Sequence, residues 1–280
     1  MSVKIITDST SDIQREEAEK LGIGMVPLKV IMDGETYRDG IDLTKEEYFT
    51  KLPHMKNLPT TTQPSPDEFI QIFEETEEDE IVIILIGSGV SGTVQSATIA
   101  AAEVTGKKIY VVDSLQTSAG LGILTYRAVE LRDQGLSGAE IAAKLDEEKK
   151  DIKLIAVIND IKNLYKSGRM SKGTMVVASI LGIKPIVTLE PHGVEAIGKE
   201  RGTAKAYKFV RDTATGLGEL DTDRPCAVGY THTPEIVDDF VKVMGKEWCP
   251  ENIHVQAVGC ALGTHLNVGA IVYAYFRKRA

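Results

Sequence analysis

The amino-acid sequence predicts a two-domain α/β fold: a three-layer first domain with a mainly parallel sheet, then a second α/β domain with a mixed sheet. Three observations lead to this prediction. The chain has 280 residues, which is enough for about two domains of ordinary size. Its first half alternates short apolar runs with helical segments. Its second half contains a β-hairpin where a crossover helix would be expected.

In the first half, apolar runs predict the strands and polar caps predict the helix starts. Continuous apolar runs, rather than alternating ones, are typical of a parallel sheet that is covered on both faces. Helices are expected to begin at Thr44, Ser65 and Ser137, because each is followed three residues later by Glu, the spacing of a capping box. The predicted strands are residues 4–7, 26–32, 81–86, 108–112 and 154–158.

The second half of the chain has a different order of predicted strands and helices. Residues 184–189 and 194–197 form the predicted hairpin, followed by a helix over residues 203–217, a strand at 227–230 and a helix that starts at Pro234. A strand pair, residues 255–258 and 268–276, is expected to close the chain. We place the domain boundary at residue 155, giving domains of residues 1–155 and 156–280. No linker-like composition separates them, so the two halves should pack tightly.

Composition excludes several classes of protein. With 32 basic and 41 acidic residues the net charge is −9, the wrong sign for a general nucleic-acid binder. The three cysteines have no spacing typical of a disulfide framework or a metal site. No apolar run is long enough to cross a bilayer, and the first residues lead directly into a strand without a signal peptide. We therefore expect a cytoplasmic protein with no integral membrane segment and no metal.

Hydroxyl-rich loops recur in the first half, in most cases just after a strand. In open α/β sheets, ligands bind outside the carboxyl ends of the strands, and helix N-termini there attract anions. Ser and Thr also cap helices without any ligand, but four such loops in one chain favour a seat for a small anion, carboxylate or phosphate. The four loops cover residues 7–11, 60–65, 87–93 and 113–118.

The third of these loops matches a dinucleotide-binding fingerprint. Gly87, Gly89 and Gly92 have the required spacing after a strand, and Asp113 ends the next strand, where a ribose-binding acid is expected. An NAD(P)-binding oxidoreductase is therefore the alternative function. Against it, the motif lies in a third or fourth βα unit, whereas the fingerprint belongs to the founding one.

A hydrolase is a third possibility. Ser91, Asp113 and His265 follow the chain order of an α/β-hydrolase triad. The nucleophile elbow requires glycine two residues after the serine, however, and Thr93 stands there. A β-branched side chain would crowd that strained turn, so the sequence disfavours hydrolysis.

Six strings, taken in order, are similar to one known family. They are Thr-Asp-Ser-Thr-Ser-Asp (7–12), Thr-Thr-Gln-Pro-Ser (61–65), Gly-Val-Ser-Gly-Thr-Val-Gln-Ser-Ala (89–97), Gly-Arg-Met-Ser-Lys (168–172), Ile-Lys-Pro-Ile (183–186) and Gly-Thr-His (263–265). Together they resemble the DegV family, bacterial fatty-acid-binding proteins that serve as lipid-carrying subunits of fatty acid kinase. The resemblance extends from residue 3 to the last strand.

The resemblance implies a lipid-binding protein that is no catalyst alone and needs no cofactor. A long-chain fatty acid (C16–C18) would lie in a tunnel between the domains, and a separate ATP-binding kinase subunit would phosphorylate its carboxylate to an acyl phosphate for phospholipid synthesis. The implied carboxylate-binding residues are Thr61, Thr62, Ser91, Gly92, Thr93 and His265. His265 and Arg169 would assist phosphoryl transfer. Without the resemblance, a structural hydrogen bond would be an equally good interpretation of His265, and an ordinary surface arginine would be the favoured interpretation of Arg169.

The chain departs from the family pattern directly after this histidine. Where members commonly have Thr-Gly-Pro-Gly, this sequence has Leu266-Asn-Val-Gly269. The difference bears on the kinase partnership and not on lipid binding. Candidate tunnel walls are residues 175–181, 186–189 and 268–276, with Met25 or Phe69 in the first half. A basic cluster at Lys162, Lys166, Arg169 and Lys172 would suit a nucleotide-bearing partner.

Overall fold

A computed structural model describes residues 2–170 and 182–279. Within these ranges helices and strands alternate as the sequence predicts. The strands are β1 Val3–Asp8, β2 Ile23–Val26, β3 Lys29–Met32, β4 Glu35–Arg38, β5 Thr60–Thr62, β6 Glu80–Leu85, β7 Lys108–Asp113, β8 Ile152–Val157, β9 Ile183–Glu190, β10 Gly193–Arg201, β11 Cys226–Tyr230, β12 His254–Ala257 and β13 Ile271–Phe276. The helices are α1 Arg15–Lys20, α2 Lys45–Lys51, α3 Pro66–Glu75, α4 Thr93–Glu103, α5 Ser118–Asp133, α6 Gly138–Glu148, α7 Lys162–Lys166, α8 Thr203–Leu217, α9 Glu235–Met244 and α10 Cys260–Leu266.

The first sheet is entirely parallel, with the strand order β2-β1-β6-β7. Every residue of β6 is buried, because helices cover both faces. On one face, Phe69 and Phe73 of α3 pack with Ala97 and Ala100 of α4. On the other face, α5 and α6 contribute Leu121, Ile141 and other buried side chains to a second cluster. The predicted three-layer first unit is confirmed.

The second sheet is mixed, with the order β10-β9-β8-β13-β11-β12. β9 and β10 form the predicted antiparallel hairpin, whereas β11 and β12 are parallel. Aromatic side chains of β13 pack under α8 and α9 on its outer face. The predicted mixed sheet is confirmed, as are the helix over Thr203–Leu217 and the strand before Tyr230. The boundary placed at residue 155 falls inside β8, and the division into domains stays a prediction.

Helix α5 lies between the two sheets. It packs against β1 and β6 of the parallel sheet and against β8, β11 and β13 of the mixed sheet. Twelve of its sixteen residues are buried, which fits a helix that is apolar all round and not along one stripe. The two halves of the chain therefore share one continuous core, so that any cavity between the sheets is bounded by both.

A small third sheet, β4-β3-β5, was not predicted. The expected single strand over residues 26–32 is wrong, because the chain breaks at Pro27, which has no N–H to donate to a ladder. Val26 ends a strand of the parallel sheet, and Lys29 begins β3 in the small sheet. The Thr-rich segment after Pro59 is itself the strand β5, paired with β3, and not a loop that follows a strand.

The C-terminal strands are not paired with each other as expected. β11 lies between β12 and β13 and pairs with both. The segment between β12 and β13, for which no helix was predicted, forms the short helix α10. Gly263 allows this helix to approach α2, because a Cβ there would come within 2.5 Å of the Phe49 ring.

Candidate functional site: a cavity between the sheets

A cavity lies where the carboxyl ends of the parallel strands face the mixed sheet and α10. It contains about 1050 Å³ of atom-free space, part of it open to solvent. Most of the described side chains that line it are apolar, and they come from the mixed sheet, from loops that follow β2 and β6 of the parallel sheet, and from α7 and α10. These are Leu28, Ile86, Val90, Leu154, Ala156, Leu164, Val187, Leu189, Val194, Ala261, Leu262, Leu266 and Val272.

Four of the six expected carboxylate-binding residues line this cavity: Thr61, Thr62, Ser91 and His265. Thr61 lies on β5 opposite Val30 of β3, and this pairing holds it against α10. Its Oγ1 lies 3.1 Å from Nε2 of His265, which occupies the last turn of α10. The small third sheet and α10, neither of them predicted, therefore bring together residues 204 positions apart in the chain.

The other two expected residues, Gly92 and Thr93, form hydrogen bonds that stabilise the loop of residues 87–93. Thr93 is fully buried; its Oγ1 lies 2.8 Å from Ser91 Oγ, and its backbone N–H is directed at the same oxygen. The carbonyl of Gly92 accepts a hydrogen bond from the Gln63 side chain. Neither residue lines the cavity. Gln63 does, and it was not singled out, although it stands inside one of the strings that carry the family resemblance.

His265 is neutral at physiological pH. Its partial burial and the nearby positive charge of Arg169 lower its pKa to about 4, because both disfavour the imidazolium form. Its Nδ1 is buried and has no hydrogen-bond partner among the described residues. A neutral imidazole keeps one N–H donor and one acceptor, so His265 can hold a proton at Nε2 in its contact with Thr61.

Arg169 joins the two halves of the chain beside the cavity. Its Nε donates to the carbonyl of Val90, in the Gly-rich loop, at 3.3 Å. Its Nη1 donates to the carbonyl of Ser167, and its own carbonyl accepts from Val194 of β10. The guanidinium is therefore partly committed to backbone carbonyls and also borders the cavity.

A second pocket, the outer cleft, lies on the solvent side of the same residues. It is lined by Lys56, Asn57, Leu58, Pro59, Thr60, Thr61, Asn163, Lys166, Ser167, Arg169, Thr264 and His265. Thr61, Arg169 and His265 line both the apolar cavity and the outer cleft. These three side chains therefore separate an apolar chamber from a basic, exposed one. Lys56 was missed because a single exposed lysine carries no sequence signal.

The glycines of the fingerprint-like loop are explained by contacts within the protein. A Cβ on Gly89 would overlap the carbonyl of Pro191, at the tip of the β9–β10 hairpin, and one on Gly92 would overlap the Gln63 side chain. The carboxylate of Asp113 accepts the backbone N–H groups of Ser88 and Leu115. These contacts occupy the space and the acid that a dinucleotide would need, so the oxidoreductase alternative is not favoured.

The hydrolase triad that the sequence disfavours is not assembled among the described residues. Asp113 is bonded to backbone N–H groups of its own region, and among the described residues His265 Nδ1 has no carboxylate partner. Ser91 Oγ is bonded to Thr93 and not to the histidine. No base is therefore in place to activate this serine.

Comparison with known proteins assigns the family. A model of the DegV family, described as "Uncharacterised protein, DegV family", matches residues 2–278. The chain belongs to the DegV family. It is 34% identical over 265 residues, 94% of each chain, to a DegV domain-containing protein of Caldanaerobacter subterraneus.

Solved structures of DegV proteins share this fold. A fatty-acid-binding DegV family protein of Thermus thermophilus is 31% identical, with a TM-score of 0.89 over 99% of this chain and 100% of that chain. The Streptococcus pneumoniae Fatty Acid Kinase (Fak) B3 protein, solved with linoleic acid, has a TM-score of 0.88 over 99% and 100% of the two chains. Its identity is 22%, so this second likeness shows the fold alone.

The departure from the expected DegV pattern after His265 falls on a strained backbone position. Asn267 ends α10 with a φ of 63° and an extended ψ of −177°, a combination that is essentially restricted to glycine. Glycine is the residue that the resemblance implies at this position. Leu266, where the resemblance implies threonine, adds an apolar side chain to the cavity wall.

The candidate tunnel walls are only partly those of the cavity. Val187 to Leu189 and Val272 line it, but Met25 packs against one core cluster and Phe69 lies in another, and neither is a lining residue. Residues 175–181 and Lys172 lie outside the described residues. Among residues 2–170 and 182–279, no helix combines the length and apolar character needed to span a lipid bilayer.

Proposed function

We propose that this DegV protein binds a long-chain fatty acid, with the hydrocarbon tail in the apolar cavity and the carboxylate at Thr61, Thr62, Ser91 and His265. The observation that carries the proposal is an apolar chamber bordered by hydroxyl groups next to a neutral histidine. A fatty acid has the same division into a long apolar part and one anionic group. The likeness to a fatty-acid-binding DegV protein of Thermus thermophilus supports the proposal.

The carboxylate is bound through a short chain of hydrogen bonds. With its proton on Nε2, His265 donates to Thr61 Oγ1, and the Thr61 hydroxyl donates in turn to a carboxylate oxygen. Ser91 supplies a second hydroxyl. Hydrogen bonds to an ionised acceptor are stronger than neutral ones, and several are needed because burying an unpaired carboxylate is costly.

Burial of the tail supplies most of the affinity. Each sequestered methylene contributes about 0.8 kcal/mol, so about fifteen of them contribute on the order of 12 kcal/mol before the cost of ordering the ligand. This is enough to keep the lipid bound through purification. A C16–C18 acid is the expected ligand.

We further propose that the bound carboxylate is presented to an ATP-binding kinase subunit at the outer cleft. Thr61, Arg169 and His265 face both chambers, so a carboxylate held there is reachable from the basic side. A carboxylate oxygen attacks the terminal phosphorus of ATP, ADP leaves, and an acyl phosphate for phospholipid synthesis remains. Lys56, Lys166 and Arg169 favour the approach of phosphate. In this role the protein is cytoplasmic, uses no metal or cofactor of its own, and has no catalytic activity alone.

Lipid extraction tests the binding proposal. Protein expressed in bacteria should release C16–C18 fatty acid in about equimolar amount on organic extraction and mass spectrometry. Lipid-free protein whose melting temperature rises with NADH would overturn the proposal in favour of the oxidoreductase.

Variants at the hydroxyl groups locate the carboxylate. Thr61→Ala and Ser91→Ala should each weaken fatty-acid binding by about tenfold, because each removes a hydrogen bond to an ionised group, worth roughly 1.5 kcal/mol. Thr98→Ala, on the exposed face of α4, is the matched control and should bind as the wild type does. Unchanged affinity in both site variants would place the carboxylate elsewhere.

A further inference from the structure

Two buried carboxylates from the first half of the chain hold the first residues of α10. Asp39, which follows β4, accepts hydrogen bonds from the backbone N–H groups of Cys260 at 2.8 Å and Ala261 at 3.2 Å. Asp12 accepts from the N–H of Gly259 at 2.7 Å. Three consecutive N–H groups that a helix leaves unpaired at its start are thus bound by side chains distant in sequence.

The two carboxylates are themselves fixed. The hydroxyl of Ser9 donates to Asp39 at 3.1 Å, and that of Ser118, the first residue of α5, donates to Asp12 at 2.6 Å. Both aspartates are almost fully buried. The start of α10 is therefore attached to α5 and to the segment directly after β1, which border the cavity through Ser118 and Thr10.

We propose that Asp12 and Asp39 are positioning residues for His265, setting the placement of α10 and with it the contact between His265 and Thr61. The helix has only seven residues and is too short to persist without tertiary contacts. At a rise of about 1.5 Å per residue, Cys260 and His265 are about 7.5 Å apart along the axis. A tilt at the first turn therefore moves the imidazole directly.

Further hydrogen bonds hold the later residues of α10, whereas the two aspartates are the side chains that bind the N–H groups at its start. Near its end, Thr264 Oγ1 lies 2.7 Å from the Tyr48 hydroxyl, and Gly263 packs against Phe49. Both contacts are to α2, and the carbonyl of Thr264 also accepts a hydrogen bond from Asn163 of α7 at 2.8 Å. The aspartates hold the opposite end, so their loss would let the first turn of α10 tilt relative to α2 and α7.

The charged groups that face the two aspartates are few. Asp8 and Lys45 are the neighbours whose charge acts on them, together with each other. The ammonium of Lys45 donates to the carbonyl of Ala257 at 2.5 Å and to the Gln14 side chain at 3.2 Å. Burial raises the pKa of Asp12 to about 7 and also raises that of Asp39.

Asp39→Asn is the sharpest test, because the amide places an N–H donor against the backbone N–H groups that the carboxylate now accepts. Glu80→Gln is the matched control: Glu80 is buried and accepts the N–H of Gly138 at the start of α6, at 2.8 Å, but it does not line the cavity. Both variants should lower the melting temperature. Only Asp39→Asn should change the imidazole ¹⁵N signals of His265 in lipid-free protein, assigned by their loss in His265→Gln.

The same variant should weaken fatty-acid binding by about twofold, no more than His265→Ala does, and this readout alone rests on the proposed function. If the wild type binds no fatty acid, the proposed function fails while the imidazole signals still report on α10. Asp12→Asn, which alters only the Gly259 contact and the Ser118 contact, is the second variant if Asp39→Asn does not fold. His265 signals identical to wild type in a folded Asp39→Asn or Asp12→Asn protein would overturn the positioning role.

Discussion

Two regions meet at the cavity, and their sequences give opposite impressions. The loop of Gly87, Gly89 and Gly92 carries a pattern typical of nucleotide binding, yet its glycines allow close packing against Leu115, Pro191 and Gln63. The α10 region carries no recognisable pattern beyond Gly-Thr-His, yet it places a neutral histidine beside Thr61. A glycine pattern records close approach of the backbone to something, and only the structure shows whether that is a ligand or the protein itself.

The difference between the regions predicts different consequences of substitution. A change at Gly87, Gly89 or Gly92 of the Gly-rich loop should act through packing and appear as lost stability. A change in the α10 region should act through the site and appear as lost function. Each prediction below can break this division.

The largest effect is expected at His265. In His265→Ala, formation of acyl phosphate with an ATP-dependent fatty acid kinase subunit should fall by about 100-fold or more, the usual scale for loss of a positioned hydrogen-bond donor that acts in the transition state. Affinity for the fatty acid should change by less than about fivefold, because the tail supplies most of the binding. Single-turnover phosphorylation with lipid-loaded protein separates the two quantities. Equal turnover in the variant would remove His265 from the reaction.

The next effect is expected at Gly89. In Gly89→Ala, the added methyl group would overlap the carbonyl of Pro191, and the free energy of unfolding should fall by about 1–3 kcal/mol, the usual cost of overpacking. Urea denaturation measures it. Gly216→Ala is the control: a Cβ there meets no atom within 4 Å, and within α8 alanine should be stabilising by about 0.5–1 kcal/mol. A Gly89→Ala protein of wild-type stability would show that the hairpin contact is not tight.

The elements that the sequence predicts well are those with a clear local sequence pattern. The parallel sheet, the helix caps at Thr44, Ser65 and Ser137 and the hairpin follow from local patterns. The small third sheet and α10 do not, because each consists of segments of three to seven residues that are stable only through contacts with each other. Thr61 and His265 were assignable from the family strings, but their hydrogen bond depends on these two unpredicted elements.

The positioning residues Asp12 and Asp39 could not be predicted from the sequence for the same reason. Asp12 stands in a quoted string, but its partner Gly259 lies 247 residues away, and nothing local marks Asp39 as buried. Loop aspartates are ordinarily solvent-exposed. Only the fold reveals that these two bind the N-terminus of a helix.

The smallest effect concerns pH and is expected at Asp12, which binds the start of α10. Burial raises the pKa of Asp12 from its usual value of 3.8 to about 7, so the folded protein holds this proton more tightly than the unfolded chain. Its contribution to stability is therefore fully present below about pH 4 and is lost as the pH rises to about 7. Asp12→Asn should reduce this loss by on the order of 1 kcal/mol between pH 6 and pH 7.5, measured by urea denaturation at both pH values. Glu80 has the opposite sign, because the N–H of Gly138 and then Lys108 lower its pKa, so Glu80→Gln should reduce a loss of stability on acidification instead. Parallel pH profiles for the wild type and Asp12→Asn would mean that Asp12 does not change its charge in the folded protein over this range.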